Sequence, residues 1–203
     1  MLRKADVASG IVLLAAGGSS RLGTPKQLLA VDGDTLLGRA ARTAVASRAS
    51  RVVVVIGAHA EACRRALDGV SSVEVVHHAA WAEGQASSLR AGLAHLRTTG
   101  IAPGAAIVML CDQPWVSTEL LDALIDRYTA TGAPVVASRY ANDVVGPPAL
   151  FDASVFGALD ALRGDVGAKR VIVAHAAVAE TVPFPAGATD IDTEADRRAF
   201  LET

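Results

Sequence analysis

Short aliphatic runs alternate with longer stretches of helical periodicity through most of the chain, strand first in each pair, and that alternation admits few architectures. It predicts βαβ units stacked on a largely parallel sheet. Ile11-Val-Leu-Leu-Ala15 opens the series, and Leu36, Leu37, Ala40 and Ala44 then recur at helical spacing within a helix over 35–47. The run Arg51 to Ile56 predicts a second strand, followed by a short helix over 61–67 that Asp68-Gly69 closes. Residues 73–76 and 86–96 repeat the pattern. The unbroken apolar character of 105–111 implies a strand covered on both faces, as in the middle of a parallel sheet.

After that strand, Ser117-Thr118-Glu119 supplies hydroxyl caps for a helix carrying Leu120, Leu121, Leu124 and Ile125 on one face, and Gly132 ends it. A fifth strand is expected over 134–138. Gly146-Pro147-Pro148 reads as a turn into an extended segment barred from the sheet interior, because proline cannot donate to a ladder. The alternation then weakens: a helix over 154–162, a loop over 163–169, a strand over 177–182 and a capped terminal helix over 193–201. No internal repeat or linker breaks the 203 residues, so a single domain over 1–203 is expected.

Composition narrows the function. With 51% hydrophobic and 20% charged residues the chain is far from the disordered regime. Lys and Arg number 19 against 21 Asp and Glu, a net charge of −2, so no global field grips nucleic acid or an anionic membrane. Any anion site must be local. Aromatics at 4% argue against a stacking platform for single strands. Cys63 and Cys111 lack metal or redox spacing and read as buried thiols in a reducing compartment. The apolar run 11–16 is short for a signal-peptide core, and none approaches the ~20 residues of a bilayer span. A cytoplasmic protein with no membrane partner is the expectation.

The loop after the first strand, Leu14-Ala15-Ala16-Gly17-Gly18-Ser19-Ser20-Arg21-Leu22-Gly23-Thr24-Pro25-Lys26, concentrates the chemistry. In open α/β sheets this position is the carboxyl edge, where ligands bind. Gly17, Gly18 and Gly23 let backbone amides approach a phosphate, Ser19 and Ser20 add hydroxyls, and Arg21 and Lys26 add two cations. Such a set fits a polyphosphate. Thr24-Pro25 stand where a Walker loop needs Lys-Ser/Thr, and Pro25 disfavours the helix that a dinucleotide fingerprint opens.

Asp112 follows a buried apolar run and precedes Gln113-Pro114. A carboxylate there is expensive unless paired, and a hard cation that completes its shell with substrate phosphate is a suitable partner. Nearer the carboxyl end, Asp190 and Asp192 alternate around Ile191, so only one can turn toward such an ion; Glu194 and Asp196 suit the first turn of the terminal helix. His59, His77 and His78 have no metal-ligand spacing, Cys111 reads as core, and Trp81 as a loop anchor or a lid packed over the pocket.

With these residues assembled, the chain resembles the MobA-like nucleotidyltransferases, and most closely their molybdenum cofactor cytidylyltransferase (MocA-like) branch. The likeness rests on Leu14-Ala-Ala-Gly-x-Ser-x-Arg-x-Gly-x-x-Lys26, Trp81-x-x-Gly84-x-x-x-Ser88-Leu-x-x-Gly92 and Cys111-Asp-Gln-Pro114. Gly146-x-Pro148-x-Leu-Phe151, Gly164-Asp-x-Gly-Ala168 and Asp190-Ile-Asp-Thr-x-x-Asp196 extend it over almost the whole chain. It implies an α/β, Rossmann-like, mostly parallel sheet with helices on both faces, of the nucleotide-diphospho-sugar transferase type.

The resemblance also implies roles. Arg21 and Lys26 match cations that contact the triphosphate, and Asp112 and Asp192 match the positions of Mg²⁺ ligands. Gly84 and Ser88 match the base and ribose side, while Leu14, Ala15, Ala16, Gly17, Gly18, Ser19 and Gly23 complete the nucleotide loop. Ala15-Ala16-Gly17 resembles the cytidylyl form; the guanylyl branch usually has a further glycine there. Lys169 replaces a usual Arg, and Pro147 a usually polar residue, both on the acceptor side. The implied reaction joins CTP to molybdopterin with release of pyrophosphate, for delivery to a molybdenum hydroxylase. Guanylyl transfer, cytidylyl transfer to another phosphorylated metabolite and non-catalytic cofactor delivery are the alternatives. A redox enzyme on this scaffold finds no flavin or nicotinamide fingerprint.

Overall fold

The computed structural model describes residues 8–18, 25–98 and 102–188. Seven strands form one sheet in the order β5-β4-β1-β6-β8-β7-β9, with β1 Ser9–Ala15, β4 Arg51–Ile56, β5 Val73–His77, β6 Ala105–Leu110, β7 Val135–Arg139, β8 Val145–Asp152 and β9 Glu180–Pro183. The first four in that order run parallel, β8 lies antiparallel to both its neighbours, and β7 and β9 pair in parallel. Two short strands, β2 Ala30–Val31 and β3 Asp34–Thr35, make a separate hairpin. The α/β, mostly parallel sheet expected from the alternation is the one observed.

Alternate residues of β1 face opposite cores, as the two-residue period of a strand requires. Ile11 and Leu13 pack with α1 (Leu36–Ala46), α2 (Ala60–Ala66) and α4 (Thr118–Thr131). Val12 and Leu14 pack with α3 (Gln85–Thr98), α5 (Phe156–Asp160) and α6 (Lys169–Ala174). Helices therefore cover both faces. Expected caps form: Thr35 Oγ1 accepts from Gly38 N at 2.9 Å, Ser117 Oγ accepts from Leu120 N at 3.3 Å, and Gly132 ends α4 at φ 64°.

The segment holding Pro147 and Pro148 corrects the sequence reading. It lies in β8, an interior strand between β6 and β7. Its pairing with β6 runs only from Ala149 to Asp152, and its register with β7 jumps from Ala149 to Gly146 at an irregularity between Ala137 and Ser138. The prolines fill that break, where no ladder donor is required. Two later elements also differ. The strand expected over 177–182 is β9, which starts only at Glu180, because Val178 N and Ala179 N still bond back to His175 O after α6. The helix over 154–162 is a single turn at Ala153–Val155 followed by the short α5. The helix over 193–201 lies outside the described residues. Among the described residues no helix is long and apolar enough to cross a membrane.

Candidate functional site

The carboxyl ends of β1 and β6, two adjacent central strands, open onto a cavity of about 560 Å³, within the usual range for a small-molecule site. The loop after β1 forms one side with Leu14, Ala15, Ala16, Gly17 and Gly18. The turn after β6 adds Cys111 and Asp112, and the first turn of α3 adds Gln85 and Ser88. Lys26, Gly84, Trp81 and Asp165 also line it. Nine positions singled out from the sequence (Leu14, Ala15, Ala16, Gly17, Gly18, Lys26, Gly84, Ser88 and Asp112) are thus brought to one concave surface. Ser19, Arg21, Gly23 and Asp192 lie outside the described residues. Lys169 and Pro147 are not among the lining residues.

The charged centre is a pair drawn from two distant segments. Lys26 Nζ donates to Asp112 Oδ2 at 2.5 Å, with the side chains 27% and 13% exposed. Such shielding separates it from ordinary surface ion pairs, which contribute little. The sequence assigns Lys26 to phosphate and Asp112 to metal; the structure seats the two against each other. Asp112 Oδ1 is buried and has no hydrogen-bond partner among the described residues. An orphaned carboxylate oxygen at a cavity wall is the donor that a hard divalent cation takes, so the residues present fit such an ion. Among the described residues no cluster of three or more His, Cys, Asp or Glu could hold a metal alone.

The cavity wall has its own supports. Gln27 is buried and its Nε2 donates to Gly17 O at 2.9 Å, fixing the course of the glycine loop. Gly84 sits at φ 102°, ψ 173°, and a Cβ there would run into the backbone of Gly164 and lie 2.6 Å from Asp165 N. The loop carrying Asp165 therefore closes directly onto the residue that begins the α3 side, and Ala86 N donates to Gly164 O at 3.1 Å. Ser87 Oγ lies 2.8 Å from Gly84 O and 2.9 Å from His78 Nε2, which gives His78 a structural partner in keeping with its lack of ligand spacing. Burial, and then the neighbouring Asp112 carboxylate, push the Cys111 thiol well above its ordinary range, so it stays protonated and is no nucleophile.

Sequence reasoning missed Gln27, Gln85 and Asp165. Gln27 and Gln85 each adjoin a motif residue, but neither carries a charge or a backbone constraint that would mark it. Asp165 was visible within Gly164-Asp-x-Gly-Ala168, yet only the loop's approach to Gly84 shows that it reaches the cavity.

Comparison with known proteins shows the family. Residues 11–178 match the MobA-like NTP transferase domain. The chain is 34% identical over 171 residues to nicotine blue oxidoreductase of Paenarthrobacter nicotinovorans, covering 78% of each protein. It is 31% identical over 173 residues to the purine catabolism protein PucB of Bacillus subtilis, covering 79% of this chain and 78% of that one. The crystal structure of Rv0371c from Mycobacterium tuberculosis superposes with a TM-score of 0.82 at 33% identity, over 97% of this chain and 99% of that one. A structure of the same protein in complex with manganese gives 0.78 at 30% identity over the same shares. Matched over most of its length at these levels, the chain belongs to the MobA-like NTP transferase family and is a nucleotidyltransferase.

Proposed function

We propose that the protein is a Mg²⁺-dependent cytidylyltransferase that joins CTP to the phosphate monoester of molybdopterin. The observation that carries the reading is the Lys26–Asp112 pair at the wall of the glycine-lined cavity, with Asp112 Oδ1 buried and unpartnered among the described residues. In the reaction an oxygen of the monoester forms a bond to the α-phosphorus of CTP, the bond from that phosphorus to the bridging oxygen breaks, and pyrophosphate leaves. The monoester needs no general base, because its second pKa of about 6 leaves it mostly dianionic at neutral pH. Positioning and charge neutralisation then account for catalysis.

The chain's own groups divide that work. Lys26 presents a compact ammonium that Asp112 holds in place, suited to charge developing on the leaving pyrophosphate; Arg21 is assigned the same task. Gly17 and Gly18 bring the loop backbone close to phosphate, and Gly84 and Ser88 face the nucleoside. Ala16 places a methyl where a further glycine would admit a larger base, which favours cytosine. Mg²⁺, held by Asp112 and Asp192, would supply Lewis-acid neutralisation of the triphosphate when bound. That a relative was crystallised in complex with manganese supports a divalent ion as the cofactor.

The test is to incubate the protein with molybdopterin, Mg²⁺ and each nucleoside triphosphate in turn and measure pyrophosphate. Release with CTP, lost in Asp112→Asn, is expected. Release with GTP alone would make it a guanylyltransferase. No release with any triphosphate, beside tight pterin binding, would leave a delivery protein.

A further inference from the structure

Three parts of the fold meet behind the candidate metal carboxylate, through side chains that the reaction does not use. Gln113, the residue after Asp112, is 5% exposed. Its Nε2 donates to Tyr140 Oη at 3.0 Å and to Gly187 O at 3.2 Å. Tyr140 Oη in turn donates to Pro147 O. Both acceptors of the carboxamide demand its nitrogen on that side, so the orientation of the amide is fixed by its partners.

The tyrosine is held as firmly. A Cβ on Gly146 would strike its hydroxyl end, and one on Gly187 would strike its ring edge, so two side-chain-free residues bracket the phenol. Phe184 meets the ring edge-on at a centroid distance of 6.0 Å and an interplanar angle of 78°. The Asp112–Gln113 turn is therefore tied to β8 through Tyr140 and Pro147, and directly to Gly187.

We propose that Gln113 and Tyr140 form a clamp that positions Asp112 for its divalent ion. This rests on the metal role given to Asp112 above. Neither residue touches substrate; both are positioning residues. A glutamine here does what apolar packing cannot, because its two N–H groups specify direction as well as distance. Its own Oε1 is buried with no partner among the described residues.

Tyr140→Phe keeps the ring between Gly146 and Gly187 and removes only the hydroxyl; Gln113→Leu keeps bulk and removes both donors. Mn²⁺ affinity of the full-length protein with a non-hydrolysable CTP analogue bound, read by electron paramagnetic resonance, and the steady-state constants for CTP are measured for each. Loss of a hydrogen bond made directly to a metal ligand weakens metal binding by roughly 10-fold or more; this network acts through the turn, one step further out, so a loss of several-fold is the relevant scale. The expectation is that loss, with kcat falling in parallel and KM for CTP nearly unchanged. A lowered unfolding temperature with wild-type Mn²⁺ affinity and kcat would make the network merely structural and overturn the proposal. If Gln113→Leu fails to fold, Tyr140→Phe decides alone. Asp112→Asn separates the two readings. If it binds Mn²⁺ like wild type, the metal assignment fails and the clamp falls with it; if it alone loses Mn²⁺, only the clamp fails.

Discussion

Replacing Gly84 by alanine tests whether the two loops that close the cavity depend on one backbone position. At φ 102° and ψ 173° the residue occupies a region that is essentially glycine's alone, where a side chain costs about 1–3 kcal/mol. The new methyl would also meet the Gly164 backbone and lie 2.6 Å from Asp165 N, and rigid overpacking of this kind adds roughly 1–3 kcal/mol. Relief requires the 164–165 loop to retreat, which strains or breaks the bond from Ala86 N to Gly164 O, worth about 1 kcal/mol net. These contributions overlap, because one displacement relieves part of each, so a loss of about 3 kcal/mol is expected. For a chain of this size that corresponds to a fall of ~6–12 °C in Tm. Thermal and urea unfolding would measure it, beside the KM for nucleotide, which should rise as the wall opens. A variant within about 2 °C of wild type would refute the reasoning, since it would show that the loops can part at almost no expense.

Gly17→Ala is the complementary change: a Cβ there meets nothing within 4 Å among the described residues, so stability should stay within about 0.5 kcal/mol of wild type. Nucleotide affinity should nevertheless fall, because the added methyl projects beside phosphate; unchanged affinity by calorimetry would argue that the triphosphate lies elsewhere. Acid sensitivity should owe part of its shape to Glu74. The Arg51 guanidinium, bonded at 2.7 Å through two nitrogens, and then His95 hold its carboxyl down to about 2 from an ordinary 4.5. A depressed carboxylate adds stability above its unfolded value and loses it as pH falls through the folded one. Glu74→Gln should therefore flatten the decline of urea stability between pH ~4.5 and ~2. Glu74 is 36% exposed, so the effect should be on the order of 1 kcal/mol or less; an identical decline in the variant would contradict it.

The features legible in the sequence were those set by local chemistry. The run Ile11 to Ala15 could only be a buried strand, a glycine-rich stretch after it could only be a loop, and Asp112 after an apolar run had to find a partner. What was not legible depended on residues meeting across the chain. Pro147 and Pro148 forbid a regular ladder, but whether they stand at an edge or in a register break depends on how β7 pairs. Lys26 and Asp112 are 86 residues apart, and nothing local says that they touch. Gln113 and Tyr140 look unremarkable one at a time, and their relation depends on Gly146 and Gly187 leaving room for a ring.

The proposed chemistry stands most directly on where three phosphates and a divalent ion bind. A crystal grown with CTP and Mn²⁺, mapped at the manganese absorption edge, should place the anomalous peak on Asp112 and the triphosphate between Lys26 and the Gly17–Gly18 backbone. Phosphates bound away from that wall, or a peak with Asp112 left facing Lys26 alone, would contradict it.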